Sequence, residues 1–79
     1  MNLSPRQEAI LNYLVDYVQQ FPFPPTIRDI QTDLRISSTS VVSYNLLKLE
    51  RAGHIKVWPE KARGIEVLND GIGRRQPDD

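Results

Sequence analysis

The sequence contains no cysteine and one histidine. The absence of cysteine excludes a disulfide framework and any zinc site that uses thiolates, and it fits a reducing cytosol. One histidine is too few for an ordinary metal site, so we expect no metal and no cofactor. No apolar run approaches the roughly 20 residues of a membrane-spanning helix, and MNLSPRQE does not resemble a signal peptide. These absences predict a cytoplasmic protein with no membrane partner.

The chain also lacks an excess of charge of either sign, with ten basic and ten acidic side chains in 79 residues. This neutrality counts against nucleic-acid binding, because domains that bind DNA are often basic. The charges are unevenly placed, however. Residues 34–65 hold six basic and two acidic side chains, a net charge of +4, whereas residues 1–33 and 66–79 each hold two basic and four acidic ones. The local positive charge of this segment affects the approach of a polyanion more than the net charge of the chain does.

The N-terminal third of the chain predicts a first helix up to about Gln20. Ser4 is a good N-cap, Pro5 suits the first helical position and Gln7 completes a capping box. Apolar residues then recur at helical spacing, at Ile10, Leu11, Leu14, Val15 and Val18.

The segment FPFPP (21–25) contains three prolines and two phenylalanines. Proline fixes its own φ and disfavours helix in the residue before it, which predicts an extended and rigid segment. We expect Phe21 and Phe23 to anchor this segment on the core. The alternative is a proline-rich ligand for another domain.

Two short helices separated by a tight turn are predicted next. Thr26 caps the first of them, with Asp29 three residues later, and a break follows at residues 35–37. Ser38 caps the second, which runs to about Ala52 and is ended by Gly53. This arrangement is typical of a helix-turn-helix.

The following segments HIKVW (54–58) and GIEVL (64–68) alternate between apolar and polar residues, which predicts two paired strands. The basic loop PEKAR (59–63) connects them. The fold class is therefore mainly α with a small β-hairpin, a three-helix winged helix-turn-helix over residues 1–68. Residues 69–79 are expected to be a flexible tail or the start of a linker.

Four blocks in this order resemble the DNA-binding domain of the LexA repressor family, the regulators of the SOS response. They are SPRQEAIL (4–11), PPTIRDI (24–30), LLKLERAGHI (46–55) and ARGIEVL (62–68). The resemblance implies that the third helix enters the major groove and that the wing touches the backbone. It also implies a repressor that binds palindromic double-stranded DNA operators as a dimer. Intact members carry a C-terminal self-cleaving protease domain, which this chain is expected to lack.

The chain departs from the family in the third helix, where SSTSVVSYN (37–45) replaces the usual polar and acidic residues, so the operator sequence does not transfer. Ile27 also stands where the family tends to have a basic residue. On a helical wheel, the outward face of the third helix supplies the candidates for base contacts. These are Ser38, Ser40, Val41, Ser43 and Tyr44. The alternative for each is a solvated helix surface.

Basic side chains in and around the helix-turn-helix and the wing are the candidates for phosphate contacts, which position the protein without specifying sequence. They are Arg28, Arg35, Lys48, Arg51, Lys61 and Arg63. Ordinary surface charge is the alternative for each.

Catalysis is not indicated, because no serine has a histidine partner and no lysine is placed convincingly as a base. The competing function is a winged helix that serves as a protein-interaction adaptor or antirepressor, which the hydroxyl-rich third helix and an outward Leu47 favour. The chain is expected to be a monomer alone, and a dimer on DNA or through a C-terminal domain.

Overall fold

Each helix of the computed structural model begins at a side chain that caps it. The backbone N–H of Gln7 donates to Ser4 Oγ and that of Ser4 donates to Gln7 Oε1, both at 3.1 Å. Thr26 and Asp29 exchange the same pair of bonds at 3.0 Å. Ser38 accepts from the N–H of Val41 at 3.3 Å. These caps satisfy backbone donors that have no partner within the helix, which is why the helices begin where they do.

The structure describes residues 3–68 and contains three helices followed by two strands. The elements are α1 (Pro5–Gln20), α2 (Ile27–Leu34), α3 (Thr39–Arg51), β1 (Ile55–Val57) and β2 (Ile65–Val67). This order confirms the predicted winged helix-turn-helix. No helix within the described residues is both long enough and apolar enough to cross a bilayer. The predicted tail at 69–79 lies outside them.

Two residues with positive φ end the helices of the helix-turn-helix. Arg35 follows α2 with φ 56° and ψ 45°, in the left-handed region. Its N–H and that of Ile36 donate to carbonyls of the last turn of α2. Gly53 follows α3 with φ 87°. The turn between the helices is therefore tight, and Ile36 becomes buried directly after it.

The hairpin is antiparallel, with Ile55 opposite Val67 and Val57 opposite Ile65. Ile55 and Ile65 are buried, so this face of the wing packs on the helices. Gly64 closes the loop, since its carbonyl accepts from the N–H of Trp58 at 2.7 Å. A Cβ on Gly64 would overlap the carbonyl oxygen of Trp58 and lie 3.1 Å from that of Lys61.

The core lies where α3 meets the other elements. Its members each lie almost wholly out of water and come from all five elements and the turn: Ile10, Leu14, Ile30, Ile36, Val42, Leu46, Leu49, Ile55 and Ile65. Full burial of such a side chain contributes about 1.5–3 kcal/mol. Helical spacing predicts the buried apolar residues of α3 correctly. Val18 of α1, which the same spacing places with the apolar residues of that helix, is 38% exposed and lies outside the core.

Phe21 and Phe23 do not anchor FPFPP on the core, which corrects that expectation, although each side chain is more than half buried, as a structural role of the segment predicts. Their side chains are 43% and 40% exposed, and they lie in a surface cluster. The rings of Phe21 and Phe23 stack with centroids 5.8 Å apart, and Tyr17 lies 4.5 Å from Phe21. The fully buried residue of this segment is Pro25, directly before the cap of α2. The phenylalanine rings thus lie beside Tyr17 of α1, while Pro25 is removed from water.

The close approach at Gly64 yields a stability prediction. Gly64→Ala is expected to lower the free energy of unfolding by about 2 kcal/mol or more, because the added carbon meets backbone that cannot move aside cheaply. Gly53→Ala is the control: nothing lies within 4 Å of its Cβ position. It should cost only about 1 kcal/mol for the left-handed backbone. Urea denaturation followed by circular dichroism measures both, and equal costs would contradict the steric explanation.

Candidate nucleic-acid interface

The outward face of α3 carries hydroxyl and apolar side chains. Ser40, Ser43 and Tyr44 are exposed, and Tyr44 is 58% accessible. Leu47 continues the same face and is 43% exposed. The structure therefore brings three of the five candidate base-contact residues together on one open surface.

The other two candidates are less open. The hydroxyl of Ser38 accepts from the N–H of Val41 as the cap of α3. Val41 is half-buried and packs against the core. Both lie at the N-terminal end of α3, so they border the open surface without forming its centre.

The beginning of α2 and strand β1 flank the middle of α3. Ile27, Leu47 and Val57 line a shallow cleft of about 180 Å³ between these elements. Glu50 Oε2 accepts from the backbone N–H of Val57 at 3.1 Å, which ties the end of α3 to the hairpin. The wing therefore has a fixed position beside α3.

A chain of hydrogen bonds that begins at a buried amide connects α3 to the start of α1. Asn45 is 6% exposed and is the one buried polar side chain in the described part of the chain. Its Nδ2 donates to the carbonyl of Val41 at 2.9 Å, and its Oδ1 accepts from Gln7 Nε2 at 3.3 Å. Gln7 is in turn held by Ser4 in the capping box of α1. A buried amide must be satisfied in this way, so Asn45 fixes α3 relative to α1 and is not free to bind a base.

Sequence reasoning missed Asn45, although a signal was present. On the wheel of α3, Asn45 falls on the same side as Val42 and Leu49, which places it toward the core. Its partner Gln7 is 38 residues away in sequence, and only the folded chain reveals that bond.

The candidate phosphate contacts lie on α2, the turn, α3 and the wing loop. Arg28, Arg35, Arg51 and Lys61 are exposed, and Lys48 is half-buried. The ammonium of Lys48 lies 5.4 Å from the centre of the Tyr44 ring. Lys61 and Lys56 lie 5.4 and 4.9 Å from the ring of Trp58, which packs along the hairpin. Phosphate contact by these side chains stays a prediction.

Arg63 has an intramolecular role that the sequence did not indicate. Its Nη1 donates to the carbonyl of Pro24 at 2.7 Å and lies 3.6 Å from Asp29 Oδ2. Its guanidinium carbon is 4.5 Å from the centre of the Phe23 ring. Arg63 therefore joins the wing loop to FPFPP and to the start of α2. Its predicted phosphate contact is untested, and its side chain remains 43% exposed.

Hydrogen bonds and nearby charges shift the pKa values of Asp29 and Tyr13. The pKa of Asp29 is held below its ordinary value, first by the N–H of Thr26 and then by the Thr26 hydroxyl and the Arg63 charge. The pKa of Tyr13 is raised by burial and by its hydrogen bond to Asp33.

Among residues 3–68, no three acidic or histidine side chains are grouped so as to hold a metal ion.

A family model described as the LexA DNA binding domain matches residues 1–64. This chain belongs to the LexA DNA-binding domain family. The match covers all three helices and the first strand of the wing, so the elements that form the candidate interface are those of the LexA domain.

Three LexA repressors illustrate the similarity. Those of Geobacter metallireducens, Herpetosiphon aurantiacus and Roseiflexus sp. are 46%, 48% and 49% identical to this chain over 69, 67 and 67 residues. The alignments cover 87%, 85% and 85% of this chain and 34%, 31% and 31% of the relatives. The chain thus spans about a third of the length of the LexA repressors it matches.

The contacts of Arg63 predict a stabilising role in this LexA domain. Arg63→Gln removes a charged hydrogen bond and a cation–π contact, which at a half-exposed position is expected to cost about 1 kcal/mol. In a domain of this size that lowers the melting temperature by roughly 4–8 °C. Lys61→Gln removes a charge from the same loop and should change stability by less than about 0.5 kcal/mol. Equal melting temperatures for the two variants would show that Arg63 does not stabilise the fold.

Asp29 predicts a pH dependence of stability. Because its pKa is lower in the folded chain, its contribution is present above the ordinary carboxyl pKa of 3.8 and is lost as pH falls through the folded value. Asp29→Asn should therefore be less stable than the parent at neutral pH, and the difference should shrink from about pH 5 downward. Urea titrations across this range test it, with Asp16→Asn as the control. A difference that stays constant with pH would contradict the role of the charge.

Proposed function

We propose that this chain binds double-stranded DNA sequence-specifically and acts as a transcriptional repressor of the LexA type in the SOS response. Membership of the LexA DNA-binding domain family carries the proposal. The open outward face of α3, flanked by a wing that Glu50 and Arg63 hold in place, supports it. In this docking the third helix lies in the major groove and the wing contacts the backbone. The 79 residues act as a binding module and not as an enzyme.

Contacts to phosphate supply most of the affinity and all of its salt dependence in such a complex. We assign this role to the basic residues on the elements around α3: Arg28, Arg35, Lys48, Arg51, Lys61 and Arg63. The segment from residue 34 to residue 65 carries a net charge of +4, which concentrates attraction there despite the neutral total.

Contacts to bases are assigned to the outward face of α3. Ser40, Ser43 and Tyr44 form its open part, with Ser38 and Val41 at its edge. These side chains differ from those of typical family members. We therefore expect the operator sequence of this chain to differ from that of typical family members.

The functional unit on DNA is proposed to be a dimer on a palindromic site in the cytoplasm. The chain alone is expected to be monomeric, because Leu47 and the surface aromatics are too few for the ~800 Å² per partner of a stable interface. Dimerisation would then come from DNA itself or from a further domain, such as the two thirds of the LexA relatives that this chain does not cover. A self-cleaving protease domain is not part of these 79 residues.

A protein-interaction adaptor is the second candidate, and one observation favours it. Phe21, Phe23 and Trp58 line a surface depression of about 480 Å³ between FPFPP and the hairpin. Apolar side chains exposed together in this way are common at protein interfaces.

Salt dependence distinguishes the two functions. Duplex binding through about five phosphates predicts a slope of log K against log salt of roughly −4 to −5. Lys61→Gln should lower the magnitude of this slope by about one and weaken binding to all duplexes alike. Lys56→Gln removes a similar lysine from the same Trp58 ring and should leave the slope unchanged.

Fluorescence anisotropy with a labelled duplex at several salt concentrations measures these slopes. The absence of any salt-dependent duplex binding would favour the adaptor. A slope that Lys61→Gln leaves unchanged would remove Lys61 from the phosphate contacts without affecting the function, and an equal fall in both lysine variants would show that Lys56 is not a neutral control.

A further inference from the structure

The half of α3 that would enter the groove first offers no side chain for bidentate base recognition. Between residues 39 and 47 the chain reads TSVVSYNLL, without arginine, lysine, glutamine or an acidic residue. Those are the side chains that pair with guanine, adenine or cytosine edges through defined hydrogen bonds. Asn45 is the single amide in this stretch, and both ends of its side chain are already bonded inside the domain.

The remaining polar groups on this face are hydroxyls. Ser40 and Ser43 are exposed and can each donate or accept, so they fit several base edges and discriminate weakly. Hydroxyls alone therefore do not explain how α3 would select one sequence.

The same face carries two large apolar groups. Tyr44 and Leu47 lie three residues apart, close to one turn, and are 58% and 43% exposed. Lys48 lies 5.4 Å from the centre of the Tyr44 ring and adds positive charge beside it. The C5-methyl group of thymine is the one apolar group that base pairs present in the major groove.

We propose that Tyr44 and Leu47 contact thymine methyl groups, and that these contacts carry most of the base discrimination of this chain. The inference rests on the proposed DNA-binding function and names the kind of half-site it selects: one with thymines at the positions opposite Tyr44 and Leu47. Serine hydroxyls and the phosphate contacts then fix the register.

Replacement of thymine by deoxyuridine tests this directly, because it removes the methyl group and leaves the hydrogen-bonding edge intact. A duplex selected by the 79-residue chain from a random pool is resynthesised with deoxyuridine at one thymine at a time. We expect one or two positions in each half-site where binding weakens about fourfold, the factor for burying one methyl-sized apolar group.

Each sensitive position should depend on one side chain. The Tyr44→Ala variant should bind the thymine and deoxyuridine duplexes equally well at one sensitive position. The Leu47→Ala variant should do so at the other sensitive position. Ser40→Ala, on the same open face, should keep both sensitivities. All three residues are exposed, so the variants should melt like the parent, and their salt slopes should be unchanged.

The outcomes separate the inference from the function beneath it. Salt-dependent duplex binding with no enriched sequence, or with no position sensitive to deoxyuridine, overturns the methyl contacts and leaves DNA binding standing. Sensitivity that persists unchanged in both Tyr44→Ala and Leu47→Ala overturns the assignment to these residues. No duplex binding at any salt concentration overturns both proposals, and the apolar pair then belongs to a protein interface.

Discussion

The burial of one face of α3 is the constraint on which the rest of the structure depends. Val42, Leu46 and Leu49 are almost completely removed from water, and side chains of α1, α2 and both strands complete the core around them. A domain of this size buries only about 60% of its unfolded surface. Its small core forms because side chains of the other elements pack around the same face of one helix. Because the inner face of α3 is fully used, its outer face has a fixed direction. Core and candidate interface are thus two sides of the same 13-residue helix.

Polar contacts then fix the elements around that helix. Asn45 and Gln7 connect α3 to the start of α1, and Glu50 connects its end to β1. Arg63 returns from the wing loop to Pro24 and Asp29, next to the cap of α2. The stiff FPFPP segment holds the Pro24 carbonyl and the Phe23 ring in position for Arg63. This contact gives a reason for a rigid backbone directly before the short helix α2. Such contacts at the edge of the core position the wing without enlarging the core.

The sequence predicted local features well and long-range side-chain contacts poorly. Caps at Ser4, Thr26 and Ser38 and the stop at Gly53 depend on residues within one turn, so their chemistry is visible in the chain itself. Arg63 meets Pro24 across 39 residues and Gln7 meets Asn45 across 38, and no periodicity contains that information. Their size and apolar character predict a core position for Phe21 and Phe23. Their rings stack on each other and contact Tyr17 instead, and Pro25 is the fully buried residue of the segment.

The neutral total charge is compatible with DNA binding because the two signs are segregated. Asp16, Asp29 and Asp33 line one depression between α1 and α2, together with Tyr13 and Tyr17. The excess of basic side chains lies in the segment that contains the turn, α3 and the wing loop. A neutral domain whose basic side chains are concentrated in one segment can still be oriented by the field of a polyanion, because the local charge matters more than the net charge. In the proposed complex, base selection would then fall to the few side chains on the outer face of α3.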